Sequence, residues 1–573
     1  MRLNRSLGFV SSLGALVFLS GCTSNNKPMR HLAAAPPKPK LGIRAHDDTT
    51  LQINMAMIPP EMQKVFQYID DHIDEHVENL QKWVQQPSVS ISGEGIPESA
   101  EMVKGFFEKL GCQETRVYDV GMTEVGKPGN PVVYARCDEG APKTLAVYWM
   151  YDTMPITQPD AWSSPPFEAK IVDAKVAEVP NATKVLIGRG ATNSKGPEMV
   201  ELNALMSMKA VMGHLPVNLI FVAEGDEERL SIGLRKFVKE HRDLLTPADA
   251  FMMFAGQNDQ GFSTVRGGSE GCLFIELSTS GKSWGRGPIQ SDIHGINMRS
   301  VDSPAWRHAH MLASLTSLDG NTPLIQGFND GIEPLDAEDK EMLKKQAAKI
   351  DIKQAAKNLG VGRFIADNAE QMVSMARYHT AFDFDGVWGG NMFAGGSGSI
   401  LPNKITSKHS IRYLPNQHGS DIVKKIRAQL DRNGYKDVEL TVIGDDEWSK
   451  MQYDTDIAHA VEKTYDAFNI PYQKLSKNET ILAGGNEMGG AWPGYMFTNG
   501  PQGDTTFTPV GLPIAGGGAG GGGRAHAADE YYVIEGAGKR YGIAGGEKSI
   551  AMVMWNFAHT TTTTPKSELN KKP

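Results

Sequence analysis

The chain has 573 residues, more than a single hydrophobic core usually organises, so two or three domains are expected. Hydrophobic residues make up 40% and charged residues 22%, which is ordinary for a soluble globular protein. The formal net charge of −9 argues against nucleic acid as a partner, because nucleic-acid binding depends on basic surfaces.

Residues 1–22 have the pattern of a secretory signal, with Arg2 and Arg5 ahead of an apolar stretch. The stretch ends in Leu19-Ser20-Gly21-Cys22, which resembles the lipobox of bacterial lipoproteins. An ordinary signal peptide that contains a cysteine is the alternative. Acyl chains on Cys22 would anchor the protein to a membrane without a transmembrane helix. Because no Asp follows the cysteine, we expect an outer-membrane anchor facing the periplasm.

The composition near each end of the chain is typical of flexible segments. Residues 23–58 are rich in Ala, Pro, Lys and Asn and predict a flexible tether, and residues 562–573 predict a flexible tail.

The mature body contains Cys112, Cys137 and Cys272. An odd, scattered set indicates neither a disulfide framework nor a metal site, so we expect three buried, unpaired cysteines.

Apolar periodicity predicts helices and strands in alternation through residues 59–265. Helices are predicted over residues 62–84, 97–110, 199–211 and 230–239. Short apolar runs predict buried strands at residues 145–150, 217–223 and 250–254. This alternation indicates an α/β domain with a mixed, mostly parallel sheet.

After about residue 265 the pattern becomes α+β, which suggests an inserted domain over residues 266–450. Strands and helices are predicted there at residues 272–278, 304–317, 404–413, 420–433 and 438–443. The first domain then resumes over residues 451–561. Its glycine-rich tract, Gly516–Gly523, predicts a mobile loop that either gates a site at nearby His526 or serves as a plain linker.

Several short motifs carry the chemically informative residues. They are Met150-Tyr151-Asp152-Thr153-Met154-Pro155, Gly188–Pro197, Glu224-Gly225-Asp226-Glu227-Glu228, Ser291–Gly295, Asn403–Gln417 and Gly523–Tyr531. In order and spacing they resemble the metallopeptidase family of carnosinase, succinyl-diaminopimelate desuccinylase and glutamate carboxypeptidase. The resemblance spans most of residues 60–560. It implies a zinc-exopeptidase-like catalytic domain, an inserted lid and dimerisation domain, a homodimer, and amide-bond hydrolysis.

The resemblance also implies roles for individual residues. Glu227 corresponds to the family's general base, and Asp152 to the residue that orients the surroundings of the first metal ligand. Glu228 and His526 keep the identity of metal ligands.

Four further positions correspond to residues near the substrate. The equivalents of His294, Ser399 and Arg412 contact substrate in the carnosinase branch, and Asn486 stands where relatives have a Gly-Gly-Ser loop. The planar guanidinium of Arg412 suits a carboxylate, so the resemblance implies a small peptide or an N-acyl amino acid as substrate.

Three of the five expected metal ligands are replaced, by Met150, Asn193 and Ala255. Zinc prefers imidazole, carboxylate or thiolate, and a neutral amide lacks the charge needed to bridge two dications. We therefore expect zinc or another divalent ion at one site at most, held by Glu228 and His526 with Asn193 as a weak third ligand. Binding of no metal is the alternative. Asp259 could serve as the metal ligand in place of Ala255 only if the loop between them shifted.

Three functions stay open. The first is an envelope amide-bond hydrolase, of dipeptidase or N-acyl-amino-acid amidohydrolase type, with a degenerate metal site. The second is a metal-independent enzyme on the same scaffold that uses Glu227 and Asp152 for acid–base chemistry. The third is a non-catalytic, ligand-binding lipoprotein. Retention of Glu227, Asp152, His294 and Arg412 favours an enzyme.

Overall fold

The computed structural model describes residues 41–561, except for residues 266, 333, 336, 349, 451–453, 473–489 and 501. The signal segment with Cys22, residues 23–40, the loop with Asn486 and the tail lie outside the described residues. Within the described part, no helix is long and apolar enough to cross a membrane.

The described residues form thirteen α-helices. They are α1 (Pro60–Asp71), α2 (Ile73–Gln85), α3 (Ile96–Leu110), α4 (Gly196–Met212), α5 (Ile232–His241), α6 (Gly281–Trp284), α7 (Pro304–Ala313), α8 (Ala337–Ala347), α9 (Ile352–Leu359), α10 (Ala369–Tyr378), α11 (Gly419–Arg432), α12 (Asp456–Phe468) and α13 (Ile543–His559). The helix predicted over residues 62–84 is two helices, because the backbone leaves helical geometry at His72.

The strands in the same part of the chain number eighteen. They are β1 (Asp48–Thr49), β2 (Glu114–Tyr118), β3 (Val132–Cys137), β4 (Thr144–Met150), β5 (Lys170–Asp173), β6 (Ala182–Ile187), β7 (Asn218–Glu224), β8 (Ala250–Met253), β9 (Gly271–Ser280), β10 (Ile293–His294), β11 (Ala381–Phe382), β12 (Gly386–Trp388), β13 (Ile400–Leu401), β14 (Lys404–Tyr413), β15 (Glu439–Asp446), β16 (Ile514–Gly516), β17 (Gly522–Gly523) and β18 (Tyr531–Gly538).

The first domain is built on a six-stranded mixed sheet in the order β16-β8-β4-β7-β3-β2. The pairs β16–β8, β8–β4 and β4–β7 are parallel, whereas β3 and β2 extend the sheet antiparallel. Strands β4 and β7 are buried along nearly their whole length, as continuous apolar runs in a covered sheet should be. A second sheet combines β1, β18, β6, β5 and β17.

The inserted segment has its own sheet and its own core. Strands β11 and β12 both pair with β14, and the order continues to β9 and β15. One face of this sheet packs against α7 and α11 through a separate cluster of buried residues that includes Leu273, Ile275, Ile411, Ile422 and Ile426. This arrangement is the α+β lid domain expected from the sequence.

The segment predicted as a tether is packed onto the first domain from residue 42 onward. The Asp47 carboxylate accepts hydrogen bonds from the backbone N–H groups of Gly536 and Gly542 at 2.7 and 2.8 Å. Arg44 forms an ion pair with Glu535 at 2.9 Å. The prediction of a flexible tether is therefore wrong for residues 42–58, because these polar contacts fix the chain.

The expectation of three unpaired cysteines is also wrong, because Cys112 and Cys137 form a disulfide. The antiparallel register of β2 and β3 pairs Glu114 with Arg136, which brings the two cysteines to the same end of the hairpin. Cys272 is free and buried, as expected. Sequence spacing alone does not reveal a pairing that depends on strand register.

The glycine tract is buried from Gly516 to Gly521 and half-buried at Gly522 and Gly523, and it is not the mobile loop that its composition predicts. It begins at the end of β16 and ends in β17. A β-carbon on Gly517 would lie 2.3 Å from the Val461 side chain, and one on Gly518 would lie 2.9 Å from Phe254. At Gly517 and Gly518 the neighbouring side chains leave no room for a larger residue.

Candidate active site

The site forms where two neighbouring parallel strands end. Met150 is the last residue of β4, Glu224 is the last residue of β7, and the two are paired in register. The segments that follow leave the sheet at one edge, where open α/β sheets place their ligands. This topology brings Asp152 to the turn that carries Glu227 and Glu228.

Asp152 holds that turn in place. Its two carboxylate oxygens accept hydrogen bonds from the backbone N–H groups of Glu227 at 3.2 Å and Glu228 at 3.0 Å. Burial, followed by the negative charges of Glu228 and Asp226, raises the pKa of Asp152 to about 8. Because Asp152 is fully buried, its position suits orienting the glutamate pair rather than touching a substrate.

Glu227 lies at the centre of the carboxylates. Burial raises its pKa well above the usual value, and the charges of Glu228, Asp152, Glu224 and Asp446 raise it further. Both effects favour the neutral carboxylic acid over the carboxylate, which makes the carboxylate a stronger base and suits this group to proton transfer.

The three predicted metal ligands meet one another directly. Asn193 Nδ2 donates to Glu228 Oε1 at 2.8 Å, and His526 Nε2 lies 2.9 Å from the same oxygen and 3.0 Å from the Asn193 nitrogen. Burial alone would lower the pKa of His526, but the hydrogen bond and charge of Glu228 outweigh it and raise that pKa. His526 also has a φ of +64°, a strained conformation for a non-glycine residue.

The side chains at this site do not fit a two-metal centre. Met150 points into an apolar cluster with Tyr148 and Trp492, so its thioether is core packing. Ala255 offers no donor, and Asp259 is held elsewhere, by Tyr531 and Arg540 at 2.8 Å each. One carboxylate, one imidazole and one amide remain, and they lack the charge and the bridging group that two dications need.

Glu530 supports the site and was not predicted. Its carboxylate accepts backbone N–H groups from Gly190, Thr192 and Asn193 at 2.9–3.1 Å, and Arg189 Nη1 at 2.7 Å. These bonds fix the π-helical turn Ala191–Lys195, which carries Asn193. The one feature of the sequence that could have indicated a role for Glu530 is its position four residues after His526.

The lid contributes two separate groups of predicted residues. His294 and Ser399 lie together, because β10 pairs with β13 and Gly295 N–H donates to the Ser399 carbonyl at 3.0 Å. Both are exposed, and in the described part of the chain neither forms a hydrogen bond to Glu227 or Glu228. Arg412 instead forms an ion pair with Glu270, with its Nη1 3.5 Å from Glu270 Oε1.

Comparison with known proteins agrees with this architecture. The model of "Peptidase family M20/M25/M40" matches residues 150–541. The Beta-Ala-His dipeptidase of Rattus norvegicus is 24% identical over 440 residues, which cover 73% of this chain and 85% of the relative. The Cys-Gly metallodipeptidase DUG1 of Candida albicans is 25% identical over 438 residues, which cover 71% of this chain and 84% of the relative.

A solved structure extends the similarity to the fold. The di-peptidase Dug1p of Saccharomyces cerevisiae superposes with a TM-score of 0.71 at 21% identity. The match covers 87% of this chain and 99% of that one. The expected combination of a catalytic α/β domain and an α+β lid is therefore confirmed.

Proposed function

The chain belongs to peptidase family M20/M25/M40, and from this membership we propose that it is a cell-envelope hydrolase of the dipeptidase type. Its substrate is a small peptide or N-acyl amino acid with a free carboxylate. Relatives named as dipeptidases support the reaction type. The substrate's carboxylate is assigned to Arg412, whose guanidinium can form a bidentate pair with it.

The environment of Glu227 carries this proposal. Hydrolysis of an amide adds the hydroxyl of water to the carbonyl carbon and a proton to the leaving nitrogen. Glu227 would accept the proton that the attacking water loses and then deliver it to the leaving nitrogen, and the Asp152 hydrogen bonds to the neighbouring backbone hold Glu227 in position. Glu227 is thus the proposed proton-transfer residue, and Asp152 the proposed positioning residue.

We further propose that the metal site is degenerate. At most one divalent ion binds, and Glu228, His526 and the amide oxygen of Asn193 are the residues that would hold it. Such an ion would supply Lewis-acid polarisation of the scissile carbonyl. The hydrogen bonds among these three side chains support weak binding, because an ion must displace them.

Lipid anchoring through Cys22 is part of the proposal and rests on the lipobox-like sequence, which lies outside the described residues. The Cys112–Cys137 disulfide supports an oxidising compartment such as the periplasm, because reducing compartments keep most thiols unpaired. Globomycin inhibition of the lipoprotein signal peptidase should make the precursor accumulate, and Cys22→Ser should release the body from the membrane fraction.

The proposed homodimer forms through the lid. Strand β12 pairs with β14 on one side only within the described residues, and its Val387 and Trp388 side chains are 51% and 40% exposed. An exposed apolar edge strand readily pairs with a second copy. Light scattering after gel filtration tests this, with Val387→Lys expected to give monomers.

The hydrolase is tested by the Glu227→Gln variant of the mature protein. Purified without chelator, the parent should cleave dipeptides, and the variant should lose at least about a hundredfold in kcat. Glu240→Gln, an exposed change on α5, serves as the control. If Glu227→Gln cleaves as fast as the parent, the proton-transfer role is wrong.

One alternative has a specific observation in its favour. The mutual hydrogen bonds of Glu228, Asn193 and His526 form a stable arrangement that needs no metal. They favour a metal-independent enzyme that uses Glu227 and Asp152, or a binding protein without catalysis. Activity that survives EDTA dialysis in a protein free of zinc by elemental analysis would identify the first, and ligand binding without turnover the second.

A further inference from the structure

Helix α7 of the lid presents aromatic side chains to solvent. Its inner face is buried against the lid sheet, where Met311 joins the core and His308 Nδ1 lies 3.1 Å from Thr279 Oγ1 of β9. Its outer face carries Trp306 and His310, one turn apart, and the Trp306 side chain is 59% exposed. Large apolar side chains that gather at a surface mark a binding site, because they leave apolar area in water.

This outer face lines an open cavity of about 460 Å³. That volume is within the roughly 300–1,000 Å³ of small-molecule sites. The walls come from three other segments of the lid, with Trp284 at the end of α6, Met298 and Val301 after β10, and Tyr435 after α11. The cavity therefore lies on the side of α7 that faces away from the lid sheet. Among the described residues, its lining includes none of those predicted for the catalytic site.

The cavity does not suit a cationic ligand. Cations bind over the faces of aromatic rings. The Arg307 guanidinium already lies over both the Trp284 and the Tyr435 ring, 4.6 and 4.8 Å from their centroids. The Arg286 guanidinium lies 5.1 Å from the Trp284 centroid. A cationic ligand would meet these two positive charges at close range.

The two arginines are not available to an anionic ligand either. Arg307 forms an ion pair with Asp437, and Arg286 forms one with Asp302 at 2.9 Å. Arg307 also donates a hydrogen bond to the Gly434 carbonyl at 2.9 Å. An anion would have to displace a carboxylate from a bidentate pair. The balance of charge therefore favours a neutral ligand.

A purely apolar ligand would also fit poorly. Asp302, Ser303 and His310 lie among the aromatic residues of the lining. Covering these polar groups with hydrocarbon would remove their water without replacing its hydrogen bonds, which costs free energy. The lining thus calls for a neutral ring with an apolar face and hydrogen-bonding groups around its edge. A sugar ring has this form, and the C–H groups of its face stack on the electron-rich face of an indole.

We propose that this cavity on the outer face of the lid is a second ligand site, which binds a neutral sugar ring stacked on Trp306 and hydrogen-bonded at its edge by His310 and Asp302. The inference goes beyond the proposed hydrolase. A glycan of the cell envelope and a free oligosaccharide both present such a ring.

Isothermal titration calorimetry of the mature protein tests the site with two neutral probes, chitotetraose and cellotetraose. At least one of them should bind with a Kd of about 1 mM or tighter. Trp306→Ala removes the stacking surface and should weaken that binding at least about tenfold. Trp306→Phe keeps an aromatic face and should retain most of the affinity. His310→Ala, a second exposed change on the same helix face, should also weaken binding.

Phe393→Ala is the matched control, since it removes an aromatic ring that is 87% exposed on the lid but does not line the cavity. It should bind the sugar as the parent does, and thermal melting checks that every variant folds. No binding of either tetrasaccharide at millimolar concentration would overturn the site. Equal affinity of Trp306→Ala and the parent would do so as well.

Co-sedimentation with purified cell-wall glycan separates the two sources of the sugar. Sedimentation of the parent but not of Trp306→Ala would identify a glycan polymer, and tetrasaccharide binding without sedimentation a free oligosaccharide. Binding of a proline-rich peptide in place of any saccharide would overturn the proposal. Because these measurements need no peptide cleavage, a protein that binds sugar and hydrolyses no dipeptide would keep this site and reject the hydrolase.

Discussion

Arg189 and Glu530 form an ion pair at 2.7 Å in which the two side chains are only 2% and 1% exposed. The same carboxylate accepts three backbone N–H groups from the turn that carries Asn193. A buried pair of this kind is strongly destabilising when one partner is removed, because the other charge stays behind without compensation.

Glu530→Ala should therefore lower the free energy of unfolding by about 3–5 kcal/mol. Urea denaturation followed by tryptophan fluorescence measures the loss. The neighbouring Asp529→Ala removes only exposed hydrogen bonds to Ser163 and should cost less than about 1 kcal/mol. Similar losses for the two variants would mean that Glu530 does not organise the turn.

Reduction of the disulfide should destabilise the catalytic domain. The bond joins cysteines 25 residues apart, and closing a loop of that length in the unfolded chain contributes about 3 kcal/mol. Dithiothreitol should lower the melting temperature of the parent but leave that of the Cys112→Ser/Cys137→Ser variant unchanged. A parent insensitive to reductant would contradict the bond, since Cys272 is buried and unpaired.

A methyl group added inside the glycine tract should be costly. Gly517→Ala places its β-carbon 2.3 Å from Val461, so the neighbouring helix must shift, at about 1–3 kcal/mol. Gly105→Ala is the control, because that glycine lies within α3 with nothing within 4 Å of its β-carbon position. The control should be neutral or stabilising. Equal behaviour would show that the tract is loosely packed.

Glu201 should make stability fall as the pH rises. Burial raises its pKa to about 8, although the Trp149 indole N–H donates to the carboxylate at 2.7 Å. Its folded-state pKa lies above the ordinary value of 4.5, so the folded protein holds the extra proton between those pH values. The contribution of this proton to the free energy of unfolding is complete below pH 4.5 and is lost as the pH rises through 8.

Glu201→Gln removes this titration. The stability of the variant relative to the parent should increase between about pH 5 and pH 8, by up to about 1.4 kcal/mol per pH unit. Urea melts at matched ionic strength measure the difference. A constant difference across this range would mean that Glu201 does not hold its proton in the folded state.

Asn193→Asp should restore part of the metal affinity. The substituted carboxylate adds the negative charge that the amide lacks, so zinc should bind at least about tenfold more tightly than in the parent. Without metal, the new carboxylate would face Glu228 and lower the melting temperature, and zinc should reverse that loss. Calorimetric zinc titration and melting with and without zinc measure both effects. Adding His526→Ala should abolish the gain; a gain that persists would place the ion elsewhere.

Sequence reasoning located the elements with strong periodicity. The strand predicted over residues 404–413 has those bounds in the structure, and the one at 145–150 differs by a single residue. Continuous apolar runs and strict alternation of apolar and polar residues both predict strands directly, because they match the burial of a strand on two faces or on one. The break between α1 and α2 at His72 was not predicted, because the backbone leaves helical geometry there while the spacing of the apolar residues stays helical.

The predicted site residues Asp152, Glu227, Glu228, Asn193 and His526 do come together, since the family motifs that carry them lie at strand ends. Glu530 was not predicted, for a different reason. It reaches the turn that carries Asn193 only because β18 pairs with β6, with Tyr531 opposite Ile187. Side-chain direction across a sheet is set by pairing, which a single sequence does not contain.

The packing of the glycine tract Gly516–Gly523 determines how rigid the backbone is beside the site. Glycine loses more backbone freedom on folding than any other residue, at about 1–2 kcal/mol for each ordered position. The tract has almost no side chains to bury in return, so its order depends on Val461, Phe254 and other neighbours. The backbone N–H groups of the tract also donate to the buried side chains of Tyr465, Ser549 and Gln257. Because His526 follows the tract by three residues, this packing also fixes where the imidazole stands relative to Glu228.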